Sequence, residues 1–391
     1  MQRMKELRPV WAEINLDNLA HNIREVKRVV KDGTLITAVI KADGYGHGSV
    51  QIAETLLENG ADRLAVATLS EAIQLKKNYK DIPVLILGYT PNESASLVIE
   101  HNIIQTIYTY DQAVAFSNKA VELDKEVKVH IKVDTGMSRL GMKPDEETVE
   151  IIKNINKLPN LSIEGIFTHF AVADETDKEF TYNQSKKFEI LCSELQKADI
   201  EIPIKHVSNS AATIDLPDLN YNMVRAGIML YGLYPSNEVD HERVKLKEVM
   251  SLRARVSHVK EVEEGTGISY GLKYKTDKKS KIATLPIGYA DGYTRLLSGK
   301  ANAIVKGEIV PIAGRICMDQ CMIDVTGLDV MTGDEVILFG TDGKNSITID
   351  EVADSIDTIN YEIVCMISKR VPRVYVKDGN VVNICDYIMK L

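Results

Sequence analysis

The stretch Val39-Ile-Lys-Ala-Asp-Gly-Tyr-Gly-His-Gly48 ends an apolar run on a lysine and follows it with three alternating glycines. A lysine is seldom buried without a partner. At the C-terminal end of a barrel strand, desolvation would lower the pKa of Lys41 and free its amine for a Schiff base. The glycines would let the turn adopt positive φ and approach a ligand closely. Their spacing does not match the dinucleotide pattern G-x-G-x-x-G. The alternative is a lysine snorkelling from an ordinary strand-to-helix loop, and later strands decide between the two.

On Val127-Lys-Val-His-Ile-Lys-Val-Asp134, period-two alternation puts His130, Lys132 and Asp134 on one face. Three ionisable groups toward a barrel centre are costly unless paired. Arg139, just beyond, could pair with them or clamp a carboxylate. A purely structural charge cluster is the competing reading. His169, His206 and Arg225 also fall at or near strand ends. The seventh and eighth loops of such barrels commonly hold a phosphate. Ser210 offers a hydroxyl and an outward N–H there, and Gly227 a close backbone approach. A phosphate site beside a strand-end lysine suggests pyridoxal 5'-phosphate.

Positioning such groups requires a repeated scaffold. Apolar runs near 35–41, 63–68, 84–89, 105–109, 127–134, 163–169, 204–208 and 223–231 read as strands. Amphipathic stretches lie between most of them: Ser49 to Asn59, Leu69 to Asn78, Asp111 to Leu123, Glu146 to Asn156 and Lys178 to Ala198. A strand-like lead, Val10 to Asn15, precedes a helix with Asp17 as its expected N-cap. Eight units in about 240 residues fit a (β/α)8 TIM-type barrel, with a doubly wound sheet as the rival. After a polar segment, 237–247, read as a linker or connecting helix, short glycine-separated runs predict a mostly-β C-terminal domain. One helix interrupts it, Thr348 to Ile356, capped by Thr348 or Asp350. The expected domains are 1–240 and 241–391, with residues 1–12 packing against the second.

The 391 residues suit two domains. A net charge of -9 argues against nucleic acid or an anionic membrane as partner. No apolar run reaches membrane-spanning length, and Met1 to Pro9 lacks a signal-peptide core. Cys192, Cys317, Cys321, Cys365 and Cys385 show no metal spacing, so no metal site is expected, and they read as reduced cytoplasmic thiols.

Taken together the motifs resemble the bacterial alanine racemases over nearly the whole chain. The resemblance rests on Val39 to Gly48, Lys132-Val-Asp-Thr-Gly-Met-Ser-Arg-Leu-Gly141, Thr168-His-Phe170 and His206-Val-Ser-Asn-Ser-Ala211. It continues through Val224-Arg-Ala-Gly-Ile-Met-Leu-Tyr-Gly232, Ser269-Tyr-Gly271, Gly288-Tyr-Ala-Asp-Gly292, Gly314-Arg-Ile-Cys-Met-Asp-Gln320 and Asn360-Tyr361. It implies a homodimer that interconverts L- and D-alanine on pyridoxal 5'-phosphate, supplying D-alanine for peptidoglycan. Lys41 would hold the cofactor and serve one face of Cα, and Tyr270 of the other subunit would serve the opposite face. His169 would lower the pKa of Tyr270. Arg225, supported by His206, would face the pyridine nitrogen and leave it unprotonated. Tyr45, Ser210, Gly227, Ile228 and Tyr361 would hold the phosphate, with Asn209 nearby. Arg139 would contact the cofactor's phenolic oxygen and the substrate carboxylate, and the Met318 N–H would bind that carboxylate from the partner chain. Lys132 would be open to carbamylation, giving Arg139 an anionic partner. Tyr289 and Arg315 would line an access corridor, with Asp174 near its mouth. Tyr361 favours alanine over serine. An amino-acid decarboxylase would carry an acid in place of Arg225, and a cofactor carrier would have no use for Tyr270 and Met318.

Overall fold

Parallel strands buried on both faces need helices on one side and packed side chains on the other. A computed structural model describes residues 8–390, so most of the charged start lies outside the described residues. Contacts divide the chain into two compact units: residues 19–44 and 49–247, and residues 8–18, 45–48 and 248–390.

Among the described residues up to 240 lie nine strands: β1 (Val10–Asn15), β2 (Leu35–Val39), β3 (Arg63–Val66), β4 (Val84–Ile86), β5 (Ile104–Ile107), β6 (Val127–Lys132), β7 (Leu161–Phe167), β8 (Ile204–His206) and β9 (Met223–Ala226). β2 to β9 form one parallel sheet ordered β8-β7-β6-β5-β4-β3-β2-β9. Its outer strands meet through the Asn222 N–H donated to Lys205 O at 3.2 Å and the Arg225 N–H donated to Ser208 O at 3.1 Å. The result is a nearly closed TIM-type barrel, not a doubly wound sheet. Its helices include Ser49–Glu58, Leu69–Asn78, Tyr110–Glu122, Glu146–Ile155 and Glu179–Lys197. Thr68, Thr109 and Asp145 cap three of them by accepting the N–H three residues on.

In the other unit, β1 runs antiparallel to Met250–Arg255 and parallel to Arg373–Lys377. The sheet continues through Glu335–Thr341, Asn302–Val305 and Glu308–Pro311 on one side and Asn380–Cys385 on the other. His258–Val262, Ser280–Leu285 and Cys321–Asp324 make a second, three-stranded sheet.

Three local expectations change. Asn15, not Asp17, accepts the first free amide of the helix Leu16–Val29, from Asn18 at 2.9 Å, while Asp17 accepts from the Asp378 N–H. Segment 237–247 is irregular, with no helix. The β unit carries a second helix, Asn360–Met366, after Ile349–Asp354 with its Thr348–Glu351 capping box.

Arg373 ties residues 45–48 into this unit. It is 1% exposed and donates to the carbonyls of Gly46 (2.9 Å), Ile367, Ser368 and Val371 (2.6 Å each). Tyr375 Oη adds a 3.0 Å bond to His47 O. Arg373→Met would leave several buried carbonyls without donors. It should lower unfolding stability by about 3 kcal/mol or more in urea denaturation. A change under about 1 kcal/mol would mean that water replaces the guanidinium.

Candidate active site

Strand β2 stops at Val39, and Ile40 is fully buried. After Lys41 the backbone turns left-handed: Ala42 (φ 52°, ψ 47°), Asp43 (55°, 47°), Gly44 (63°, 44°) and Tyr45 (φ 50°). Only one of the four is a glycine, so the freedom expected of the glycines explains part of the turn. The others cost roughly 1–2 kcal/mol each. Compensating bonds hold the turn. The Gly44 N–H reaches Ile40 O (2.9 Å), the Ala42 N–H reaches Glu71 Oε1 (2.6 Å), and Asp43 Oδ1 accepts the Ser49 N–H (3.0 Å). A Cβ on Gly44 would lie 2.7 Å from Ile52 Cδ1, so both space and φ require glycine here.

Arg225, on β9 and 3% exposed, is the charged centre of the barrel. One terminal nitrogen donates to His206 Nδ1 at 2.8 Å. The other lies 2.9 Å from Thr168 O, 3.0 Å from Val207 O and 3.2 Å from His169 Nδ1. Phe167 stacks on His206 (centroids 4.6 Å, 9°) and faces the Arg225 guanidinium at 5.2 Å. Burial and then Arg139 push the pKa of Arg225 down to about 9, still above neutrality, so it remains a cation. Burial, then Arg225, pushes His206 and His169 well below the usual imidazole range, and both stay neutral. His169 feels in turn Arg225, Arg139, Lys132 and Lys41, so four cations converge on one place. An arginine only donates, so the nitrogens it meets, His206 Nδ1 and His169 Nδ1, must be acceptors. Neutral His169 therefore carries its proton on Nε2.

Lys132, 6% exposed, donates to Val133 O (2.6 Å) and Leu140 O (3.1 Å). Burial, followed by Arg225, lowers its pKa to about 8. Asp134 meets Lys132 by charge alone, with no hydrogen bond or ion pair between them among the described residues. Its Oδ1 takes the N–H groups of Gly136, Met137 and Ser138 at 2.9–3.1 Å. Arg139 is exposed and makes no hydrogen bond or ion pair among the described residues, so the expected pairing with the cluster is absent. Its fork is left for an anion from outside.

Asn209 caps the helix Ser210–Asp215 through the Ala212 N–H (3.0 Å). Ser210 Oγ accepts the Gly227 N–H (2.9 Å), beside the buried Ile228. Its own hydroxyl proton has no acceptor among the described residues. Nor has the Nε–H of Arg225. Two donors on buried residues thus have no acceptor among the described residues. A phosphate oxygen and a pyridine nitrogen have the matching chemistry, and the residues present fit pyridoxal 5'-phosphate. Asp174, in this unit, accepts from Ser236 Oγ through its carbonyl and keeps its carboxylate partly exposed.

In the β unit, Tyr270 stands 70% exposed. Ser269 before it has φ 62° and ψ -174°, a conformation normally confined to glycine. The Ser269 hydroxyl, donated to Arg315 O at 2.6 Å, anchors that strain. Met318 is exposed, and its N–H has no partner among the described residues. The carbonyls flanking that N–H are taken: Cys317 O by the Tyr289 N–H and Met318 O by the Ala290 N–H, each at 3.0 Å. Tyr45 and Tyr361 meet as tilted rings 6.2 Å apart. Burial raises the Tyr45 phenol far above its usual range, so it acts as a neutral hydroxyl.

Sequence reasoning missed Glu164 and Arg63, which touch this network. Their one signal was a charged residue inside each of two otherwise apolar barrel strands. Among the described residues no helix is long and apolar enough to cross a membrane, and no group of side chains could hold a metal ion.

Two family models match the chain. The alanine racemase N-terminal domain covers residues 14–235, and the alanine racemase C-terminal domain covers residues 249–375. The chain belongs to the alanine racemase family, whose members depend on pyridoxal phosphate. It is 51% identical to alanine racemase 1 of Clostridium acetobutylicum and 52% identical to the alanine racemase of Clostridium tetani. Both alignments span 98% of this chain and 100% of the relative. The solved alanine racemase of Clostridium difficile 630 superposes with a TM-score of 0.94 at 47% identity, over 97% of this chain and 99% of that one.

Lys132 gives this site a pH signature. In the fold its proton leaves near pH 8, and in the unfolded chain near 10.5. Between these values the unfolded chain binds more protons, so the wild-type protein gains stability from this group as pH rises. Relative to Lys132→Met, that gain should reach about 3 kcal/mol across the window in urea unfolding in carbon dioxide-free buffer. Parallel stability curves for the two proteins would contradict the assignment.

Proposed function

We propose that this protein interconverts L- and D-alanine with pyridoxal 5'-phosphate as cofactor, supplying D-alanine for peptidoglycan. The observation that carries the reading is Arg225: a buried, permanent cation with one unused N–H, where a decarboxylase would present an acid. A group that only donates leaves a facing ring nitrogen unprotonated and limits electron withdrawal. That favours returning a proton to Cα over transferring the amino group. When bound, pyridoxal phosphate supplies a conjugated ring that delocalises the electron pair left at Cα.

The chain's own residues then have distinct tasks. Lys41 attaches the cofactor and moves the proton on one face of Cα. Tyr270 of a second subunit moves it on the other. The Nε2–H of neutral His169 donates to the Tyr270 oxygen and favours its ionised form, since a phenol near pKa 10 is otherwise a weak base. Arg139 and the Met318 N–H orient the carboxylate. Ser210, Gly227, Ile228, Tyr45 and Tyr361 hold the phosphate, with Asn209 fixing the Ser210 turn. Lys132, with its lowered pKa, is nucleophilic enough to take up carbon dioxide, and the resulting carbamate would pair with Arg139. Tyr289, Arg315 and Asp174 line the substrate's approach. The high exposure of Tyr270 and Met318 supports their presentation to a partner, and hence a homodimer. The net charge of -9 and the five free cysteines support a small-molecule substrate and a cytoplasmic setting.

Incubation of the cofactor-loaded protein with L-alanine in heavy water should give loss of the α-proton signal together with D-alanine in a chiral assay. Exchange without D-alanine would contradict the two-base arrangement, and faster turnover of L-serine would redirect the substrate assignment. Lys41→Ala and Tyr270→Phe should each reduce racemisation by roughly 10²-fold or more. Mixing the two variants under subunit exchange should restore about a quarter of wild-type activity, because half the dimers would carry one intact site. No recovery on mixing would place both groups on one chain.

A further inference from the structure

Arg225 is one end of a hydrogen-bonded line that crosses the barrel. His206 Nδ1 accepts from Arg225 at 2.8 Å, His206 Nε2 lies 2.8 Å from His130 Nδ1, and His130 Nε2 lies 3.0 Å from Glu164 Oε2. Both imidazoles are fully buried. The far end carries a second arginine. Arg63 donates to the same Glu164 Oε2 at 2.8 Å, and Lys128 Nζ lies 3.4 Å from Oε1.

The backbone is built for this line. Val129 of β6 pairs with Ile163 of β7, but His130 pairs with Gly165. Glu164 is therefore the extra residue of a bulge, a device that re-aims a side chain. At Gly165 a Cβ would lie 2.6 Å from the His130 ring, so the glycine lets the imidazole lie against the strand.

Proton counting gives the line one direction. Arg225 can only donate, so His206 Nδ1 is bare and Nε2 carries the hydrogen. His130 Nδ1 must then accept, and His130 Nε2 donates in turn. Arg63, at the other end, can also only donate. Two imidazoles cannot join two donor-only ends unless an acceptor stands between the last imidazole and the second arginine.

We propose that Glu164 is that acceptor, and that it is a positioning residue for Arg225: it takes the hydrogen that the line started by Arg225 presents on His130 Nε2, completes the line, and so holds the guanidinium that faces the cofactor ring. The catalytic part of this inference rests on the alanine racemase reading above, but the tautomer assignment does not. The charged groups around the pair are consistent with two neutral rings. Burial lowers His130 against the opposing pull of Glu164, with Arg63 and Arg225 adding to the lowering, and Lys132 joins them at His206. Burial alone would raise Glu164, but the bonds from His130 and Arg63 outweigh it and hold it at about 2.

Histidine side-chain ¹⁵N NMR on the full-length protein tests the assignment, with signals identified by single substitutions of His130 and His206. Both residues should show a protonated Nε2 and a bare Nδ1, unchanged from about pH 6 to pH 8. In Glu164→Leu the Nε2–H of His130 loses its acceptor, so the His130 Nε2 signal should shift, while Arg225 still keeps Nδ1 of His206 bare. Glu164→Gln, which keeps an acceptor oxygen, should retain the wild-type pattern. In the cofactor-loaded enzyme, Glu164→Leu should lower kcat about tenfold with KM for alanine within about threefold. Glu164→Gln should stay within about threefold on both. A wild-type Nδ1–H or charged imidazole at pH 7, or an unchanged His130 Nε2 signal in Glu164→Leu, would overturn the proposal. Wild-type protein that shows these tautomers but does not racemise alanine would refute the functional reading and leave the proton line intact. Racemisation without these tautomers would do the reverse.

Discussion

A permanent cation buried among neutral partners constrains everything around it. Among the described residues Arg225 has no carboxylate in contact. Its ligands are two carbonyls and two imidazoles. Burying such a charge costs several kcal/mol unless its donors are satisfied, and here two β7–β8 backbone carbonyls and two ring nitrogens satisfy it. Because arginine never accepts, it also dictates the protons of its neighbours. His169 is left to donate outward from Nε2, and His206 is left to donate inward toward His130. One side chain thus fixes the protons of both imidazoles it meets.

The two candidate bases share a second feature. Each stands beside backbone that its sequence does not favour. Lys41 precedes a left-handed turn with three non-glycine residues, and Tyr270 follows Ser269 in a conformation normally confined to glycine. The compensations are local and polar: Glu71 and Asp43 for the first, the Ser269–Arg315 bond for the second. Strain of this kind persists only where surrounding bonds over-determine it. Rigid presentation matters for a group that must meet Cα from one side.

The barrel was readable because parallel strands buried on both faces leave continuous apolar runs, with amphipathic stretches between most of them. The lysines, histidines and Arg225 stood out against those runs. Other features depend on geometry that spacing does not encode. The helix Asn360–Met366 has seven residues, too few for a periodic signal, although it carries Tyr361. Strand His258–Val262 is largely exposed and shows no alternation. Alternation placed Asp134 with His130 and Lys132, but its carboxylate is consumed by the next turn's amides. Glu164 escaped notice because a bulge, not the strand period, turns it toward His130. Arg63 touches the line through its bond to Glu164 and acts on both imidazoles by charge.

The most direct test of this account is the ¹⁵N shift of ring-labelled pyridoxal phosphate in the loaded enzyme, followed across pH. With Arg225 as a fixed donor, the pyridine nitrogen should report an unprotonated, hydrogen-bonded state from about pH 6 to pH 9. A pyridinium signal anywhere in that range would mean that the guanidinium does not face the ring nitrogen, and the central place given to Arg225 would be wrong.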